Sequence, residues 1–108
     1  MLPSIVANNM AKYNANKIPY NRQEELMDHF CSVLHKLKSS EEIKLFLKDL
    51  LNRHERVMLV RRLLIAELLL KELTYREIQE KLHVSHGTIA RVERWLNFGR
   101  NGYRKAIG

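Results

Sequence analysis

Between Tyr75 and Arg91 the sequence gathers small, polar and basic side chains in an order that suits contact with a polyanion. Tyr75, Arg76 and Gln79 fall in one candidate helix, and Ser85, His86, Gly87, Thr88, Ala90 and Arg91 fall at the start of the next. A helix start carries unpaired backbone N–H groups and the positive end of the helix dipole, so phosphate is a natural ligand there. Short side chains let such an end enter the major groove. Thr88 and the arginines can then donate to phosphates, while Arg76 or His86 can reach base edges such as guanine O6 and N7. Tyr75, Arg76, Gln79, Ser85, His86, Gly87, Thr88, Ala90 and Arg91 are therefore the candidate contacts to double-stranded DNA. The plainer alternative, a pair of packed helices without any DNA role, stays open at this point.

Positioning those residues requires two short helices held at a steep angle, and the local signals for them are present. Thr74-Tyr75-Arg76-Glu77 reads as a capping box, in which Thr74 caps the helix start and Glu77 reaches back. Ile78 and Leu82 then point inward, His83-Val84-Ser85 interrupts the period, and a second helix from Ser85 or His86 turns Ile89, Val92 and Leu96 inward. This is the apolar spacing of a helix-turn-helix over residues 74–96. Two positions depart from the usual pattern. Gln79 stands where a small residue normally eases close packing, and His83 stands where Gly normally takes the left-handed turn, a conformation His tolerates better than β-branched residues do.

Upstream, the pattern is helical throughout. Leu26, Phe30, Val33 and Leu37 recur at helical spacing from Arg22 to Lys38, with Met27, Cys31 and Leu34 beside them. Ser39 with Glu42 signals a capping box before a second helix that buries Ile43, Phe46, Leu47 and Leu50. Asn52 with Glu55 signals a third, running to about Lys71. That third helix is apolar around nearly its whole circumference, broken mainly by Arg61, Arg62 and Glu67. One chain of 108 residues has too few helices to surround it, so the economical reading is a homodimer with an interlocked helical core. A central helix inside a monomeric bundle is the alternative. The expected organisation is a flexible arm over residues 1–21, a dimerisation core over 22–73, a reading head over 74–96 and a basic tail over 97–108, together one compact all-α domain.

The charge balance agrees with that order. Net charge is +7, and residues 53–108 carry twelve Lys and Arg against six Asp and Glu, whereas residues 1–52 carry seven against six. A basic surface concentrates near polyanions, with nucleic acid first and an anionic membrane face second. Stacking aromatics are missing from the proposed reading face, which disfavours RNA. Cys31, the single cysteine, excludes an internal disulfide and reads as a small core residue in a reducing cytoplasm. The N-terminal residues have no secretory signal pattern, and no apolar window is long enough to span a bilayer. No phosphate-binding glycine loop, paired carboxylates or nucleophile with a supporting base point to an enzyme. Cys31 with His35, and His83 with His86, fall short of the ligand number a zinc site needs, so no metal or cofactor is expected. A protein-interaction module that docks its basic head on an acidic partner of the transcription machinery is the main rival reading.

Taken together, Glu55-Arg56, Arg61-Arg62-Leu63, Thr74-Tyr75-Arg76-Glu77-Ile78 and Thr88-Ile89-Ala90-Arg91 resemble the Trp repressor family, and within it the YerC/YecD branch. The resemblance covers roughly residues 25–97. It implies a bacterial, Trp repressor-like, interlocked all-helical homodimer whose two heads address a palindromic operator at half-sites about one helical turn apart. Base contacts in such a complex can run through water. In the tryptophan-responsive members the amino acid wedges between the third helix and the head, held by two arginines that correspond to Arg62 and Arg91. The resemblance therefore marks Asn52, Arg62, Arg91, Val92 and Trp95 as the pocket positions. Three of them differ from that pattern: Val92 replaces a Gly that leaves room for the indole, Asn52 replaces a Thr that contacts the ligand amino group, and Trp95 replaces a Ser. Val92 and Trp95 are expected to fill the slot, which disfavours tryptophan as corepressor. A ligand-responsive repressor using Arg62 and Arg91 for another small anion is the remaining alternative.

Overall fold

The computed structural model describes residues 17–108, and these form helices and turns. Helix α1 spans Tyr20–Leu34, α2 Ser40–Leu50, α3 Arg53–Leu70, α4 Tyr75–Leu82, α5 His86–Phe98 and α6 Gly102–Ile107. The expected arm over residues 1–21 lies mostly outside the described residues. Its last part is ordered by Ile18, which is buried and whose carbonyl accepts from Gln23 Nε2 at 2.7 Å, and by Pro19, which precedes α1.

The described residues divide into two compact units, one ending at Phe46 and the other spanning Leu47–Gly108. In the first unit α1 keeps Leu26, Phe30 and Val33 half-buried, and the rings of Phe30 and Phe46 lie 6.5 Å apart. Helix α1 stops at Leu34 rather than Lys38. Lys36 N–H and Leu37 N–H bond to the carbonyls three residues back, a tight turn that leads the backbone into the Ser39 cap while Leu37 stays half-buried. Ser39 Oγ accepts from Glu42 N–H as expected, but the Glu42 carboxylate takes the Lys38 N–H. Cys31, expected in the core, is exposed because it sits on the flank of the stripe that carries Phe30 and Val33. Ile43 and Leu50 are likewise exposed, and neither α1 nor α2 contains a fully buried residue.

The second unit holds the packed core. Asn52 and Glu55 exchange side-chain and backbone hydrogen bonds at 2.9 Å each, the expected capping box, and start α3. Arg56 Nη1 donates to the Leu51 carbonyl at 2.7 Å and fastens the approach to α3. Glu72, at φ 65°, closes α3 in a left-handed C-terminal turn in which Leu73 N–H returns to Leu68 O and Glu72 N–H to Leu69 O. That turn swings the chain so that α4 and α5 pack across the end of α3.

Ile65 and Ala66 from α3, Ile78 from α4, Val84 from the turn, and Ile89 and Val92 from α5 make one buried cluster. Leu96 is also buried and Leu82 half-buried, so the positions read as inward in α4, the turn and α5 all face inward. The basic tail expected over residues 97–108 is largely helical. Residues 102–107 form α6, and its Tyr103 and Ile107 pack against the core cluster. Asn101, at φ 63°, provides the turn that folds α6 back. The sequence signal for α6 is short because only these two large apolar residues carry it.

The earlier part of α3 is uncovered. Val57, Leu59, Val60, Leu63 and Leu64 are all exposed, Val60 to 55%. These side chains fill much of the helix circumference, and α3 is fully buried only at Ile65 and Ala66, with Met58 and residues 67–70 half-buried.

Candidate nucleic-acid interface

Helices α4 and α5 are joined by His83, Val84 and Ser85 alone. Thr74 and Glu77 complete the expected capping box at the start of α4: Thr74 Oγ1 accepts from Glu77 N–H at 3.2 Å, and Glu77 Oε1 accepts from Thr74 N–H at 3.0 Å. The backbone bond from Thr74, then its hydroxyl bond, hold the Glu77 carboxyl below its ordinary pKa, with Lys81 adding a smaller pull in the same direction. His83 takes the left-handed conformation at φ 53° and ψ 48°, in the place where Gly is usual. Its N–H closes α4 on the Gln79 carbonyl at 2.8 Å.

Ser85 caps α5 by accepting the Thr88 N–H at 3.2 Å, and its hydroxyl also meets the Thr88 hydroxyl at 2.8 Å. The first turn of α5 contains no acidic residue. Its backbone N–H groups therefore keep the positive end of the helix unneutralised. A Cβ added at Gly87 meets nothing within 4 Å, so internal packing does not require glycine there. His86 and Gly87 are exposed and Thr88 and Ala90 half-buried at this end. Arg76, next in sequence to Tyr75 on α4, has a side chain 90% exposed, with a 3.4 Å contact from Nε to Glu80 Oε1. Arg91 is exposed as well.

Beyond the cap formed by Ser85 and Thr88, two further positions taken as DNA contacts from the sequence, Gln79 and Tyr75, make side-chain hydrogen bonds that tie the paired helices together. Gln79 Nε2 donates to the Val84 carbonyl at 3.4 Å, so the larger residue at this position spans the turn. Tyr75 is half-buried, its hydroxyl donates to Glu93 Oε1 at 2.5 Å, and its ring centroid lies 4.7 Å from that of His86. The bond to Glu93 raises the Tyr75 pKa most, with burial and the carboxylate charge acting the same way. Glu93 escaped the sequence reading because its partner is eighteen residues away, outside any helical spacing rule.

Behind the N-terminal turn of α5 lies a recess of about 110 Å³ between α3 and α5, lined by Met58, Arg61, Arg62, Thr88, Arg91 and Val92. Three of the five expected pocket residues, Arg62, Arg91 and Val92, thus share one site. Arg61 joins them unforeseen. Asn52 is instead spent on the cap of α3, and Trp95, one turn beyond Val92, borders a separate open surface with Leu63, Gly99, Arg100 and Tyr103. Val92, buried to 4% exposure, stands as the wall of the recess. An apolar cavity of about 150 Å³ accommodates benzene. An indole is larger than benzene, and the recess is smaller than that cavity. No ion pair engages Arg61, Arg62 or Arg91 among the described residues.

The model of the Trp repressor protein family matches residues 25–108, from within α1 through α6. The chain belongs to that family. YerC, an uncharacterized protein of Bacillus subtilis (strain 168), is 38% identical over 86 residues, spanning 80% of this chain and 82% of YerC. Among solved structures, a TrpR-like protein from Eubacterium eligens ATCC 27750 is similar with a TM-score of 0.68 and 34% identity, over 77% of this chain and 84% of that one. A Trp repressor candidate from Staphylococcus aureus gives the same TM-score at 28% identity, over 89% of this chain and 92% of its own. The Trp repressor family is one of DNA-binding transcription regulators, and its fold is the all-helical one described here. No described helix is long and apolar enough to cross a membrane.

Proposed function

We propose that this chain is a cytoplasmic, sequence-specific regulator of transcription, a repressor in its simplest form, that binds double-stranded DNA as a homodimer through the helix-turn-helix of α4 and α5. The observation that carries this reading is the start of α5. It is exposed and free of acidic residues, with open space above Gly87; Arg91 follows in the second turn of α5, and Arg76 lies next in sequence to Tyr75, whose ring meets His86, with both arginines exposed. Those are the features a helix end needs to approach phosphates and base edges. His86, Arg76 and Ala90 are the positions best suited to read bases, and Ser85, Thr88 and Arg91 to hold phosphate.

The uncovered face of α3 supports the homodimer. Leaving Val57, Leu59, Val60, Leu63 and Leu64 in water forfeits about 25 cal/mol for each Å² of apolar surface, and a second copy offers the matching surface by symmetry. Two heads related by a twofold axis would address a palindrome.

The narrow recess beside Val92 supports a head that stands ready without tryptophan. One feature favours a second reading in which a small anion tunes the same head: Arg61, Arg62 and Arg91 converge there with no acidic partner among the described residues. Isothermal titration separates the two. Micromolar binding of tryptophan that strengthens DNA binding would overturn the first reading.

The central experiment is selection of bound duplexes from a random DNA pool. The expected product is a palindrome with half-sites about 10 base pairs apart, centre to centre. Affinity for random duplex should fall with salt at a log–log slope of about 0.9 per phosphate neutralised. Failure to enrich any sequence, with a shallow salt slope, would instead favour docking on an acidic protein.

A further inference from the structure

We propose that Tyr75 and Glu93 are positioning residues that set DNA sequence preference by fixing His86 on the reading helix. The inference rests on the DNA-binding reading above and changes the role of Tyr75 within it, from a contact with DNA to a brace behind the contact.

The geometry is a three-residue span across the two helices. Tyr75 is the first residue of α4, and His86 is the first residue of α5. Glu93 lies seven residues beyond His86, which is about two turns down the same face of α5 and about 10 Å along its axis. Tyr75 touches both ends of that stretch, its ring against the His86 ring at 4.7 Å and its hydroxyl on Glu93 Oε1 at 2.5 Å. A single side chain of α4 therefore grips α5 at two separated points, which restricts rotation and sliding of one helix on the other. A lone contact would leave both free.

Both grips are chemically demanding. The phenol donates to a carboxylate that is only partly exposed, an interaction stronger and more directional than one between neutral groups. The Tyr75 and His86 rings pack at a tilt of 57°, a contact that limits the orientations open to the imidazole at the exposed start of α5. Orientation matters there because a base edge is read by donors and acceptors in fixed directions, whereas a phosphate contact tolerates displacement. Loosening the brace should consequently harm discrimination between sequences and leave general attraction to DNA intact.

The test uses the full chain and the duplex enriched from the random pool, compared with random duplex of equal length. Tyr75→Phe keeps the ring and removes the hydroxyl. Its affinity for the selected duplex should fall about tenfold, the order expected for loss of a hydrogen bond to a charged acceptor, while affinity for random duplex and the salt slope stay as in the parent. Glu93→Gln retains an acceptor oxygen and should keep the ratio of selected to random affinity near the parent value, even if removal of a negative charge raises both. Glu93→Ala should lose the ratio as Tyr75→Phe does, and the double variant should lose no more than either, the signature of one shared interaction. Thermal unfolding of each variant checks that the fold persists. An unchanged ratio in Tyr75→Phe, or losses in Tyr75→Phe and Glu93→Ala that simply add, would overturn the proposal alone. A parent protein with no preference over random duplex would overturn the DNA-binding reading and this proposal with it.

Discussion

Replacing His83 by Gly should make the protein more stable, and the amount follows from the backbone. His83 sits at φ 53° and ψ 48°, the left-handed helical region. A residue with a Cβ is disfavoured there by about 1–2 kcal/mol, the lower end applying to residues such as His that visit the region more readily. Glycine removes that strain but loses more backbone freedom on folding, a penalty of about 0.5–1 kcal/mol. The His83 N–H bond to the Gln79 carbonyl at 2.8 Å is a backbone bond and survives the change. The imidazole itself is exposed, so little packing is lost. The balance is a gain of at most about 0.5 kcal/mol, or up to about 4 °C in Tm for a domain of this size. Thermal unfolding followed by circular dichroism measures it, at one fixed protein concentration because self-association shifts the apparent midpoint. Lys81→Gly, inside α4, is the control and should lower stability by about 1 kcal/mol. If His83→Gly lowered Tm as the control does, the turn would not have the left-handed geometry on which the reasoning rests.

Gly87→Leu should leave thermal stability unchanged or slightly higher, since nothing lies within 4 Å of the added Cβ, yet weaken DNA binding more than tenfold by blocking the groove-facing end of α5 in a gel-shift titration. Gly99→Ala should destabilise by about 1–3 kcal/mol in denaturant unfolding, because its Cβ would meet the backbone carbonyl of Trp95, which cannot move aside as a side chain does. Val60→Glu should convert a dimer to monomer in sedimentation, because it places a charge on the uncovered apolar face of α3. Acid should loosen the start of α4: the Glu77 carboxyl titrates below its ordinary 4.5, so its capping contribution is present above that value and is lost as pH falls through the lower folded one. In amide NMR spectra the Thr74 N–H should follow that titration, and Glu77→Gln should abolish it.

The parts of this molecule that could be read from sequence are those specified locally. Asn52 with Glu55 and Thr74 with Glu77 announce helix starts within four residues, and both boxes form. Ile78, Val84, Ile89, Val92 and Leu96 reveal the paired helices because one stripe of apolar positions fixes how each helix must roll. Long-range choices were hidden. No spacing rule links Tyr75 to Glu93 or Gln79 to the Val84 carbonyl, and so both Tyr75 and Gln79 looked free to meet a ligand. The pocket residues show the same division. Arg62, Arg91 and Val92 converge, while Asn52 also satisfies a cap and Trp95 falls on another flank, distinctions that depend on how α5 is rotated against α3. Helix α6 was missed because only Tyr103 and Ile107 carry its pattern, and what orders it is the core already formed by α3 and α5.

The turn-spanning bond of Gln79 bears on how this protein could be retargeted. Its amide spans the turn between α4 and α5, so on the DNA-binding reading proposed above an exchange at this position should shift the angle of α5 before it changes any base contact. A library built to change target sequence should vary Arg76, His86, Gly87 and Ala90 and hold Gln79 fixed. Variation at Gln79 belongs in a separate screen, one that seeks a different spacing between half-sites.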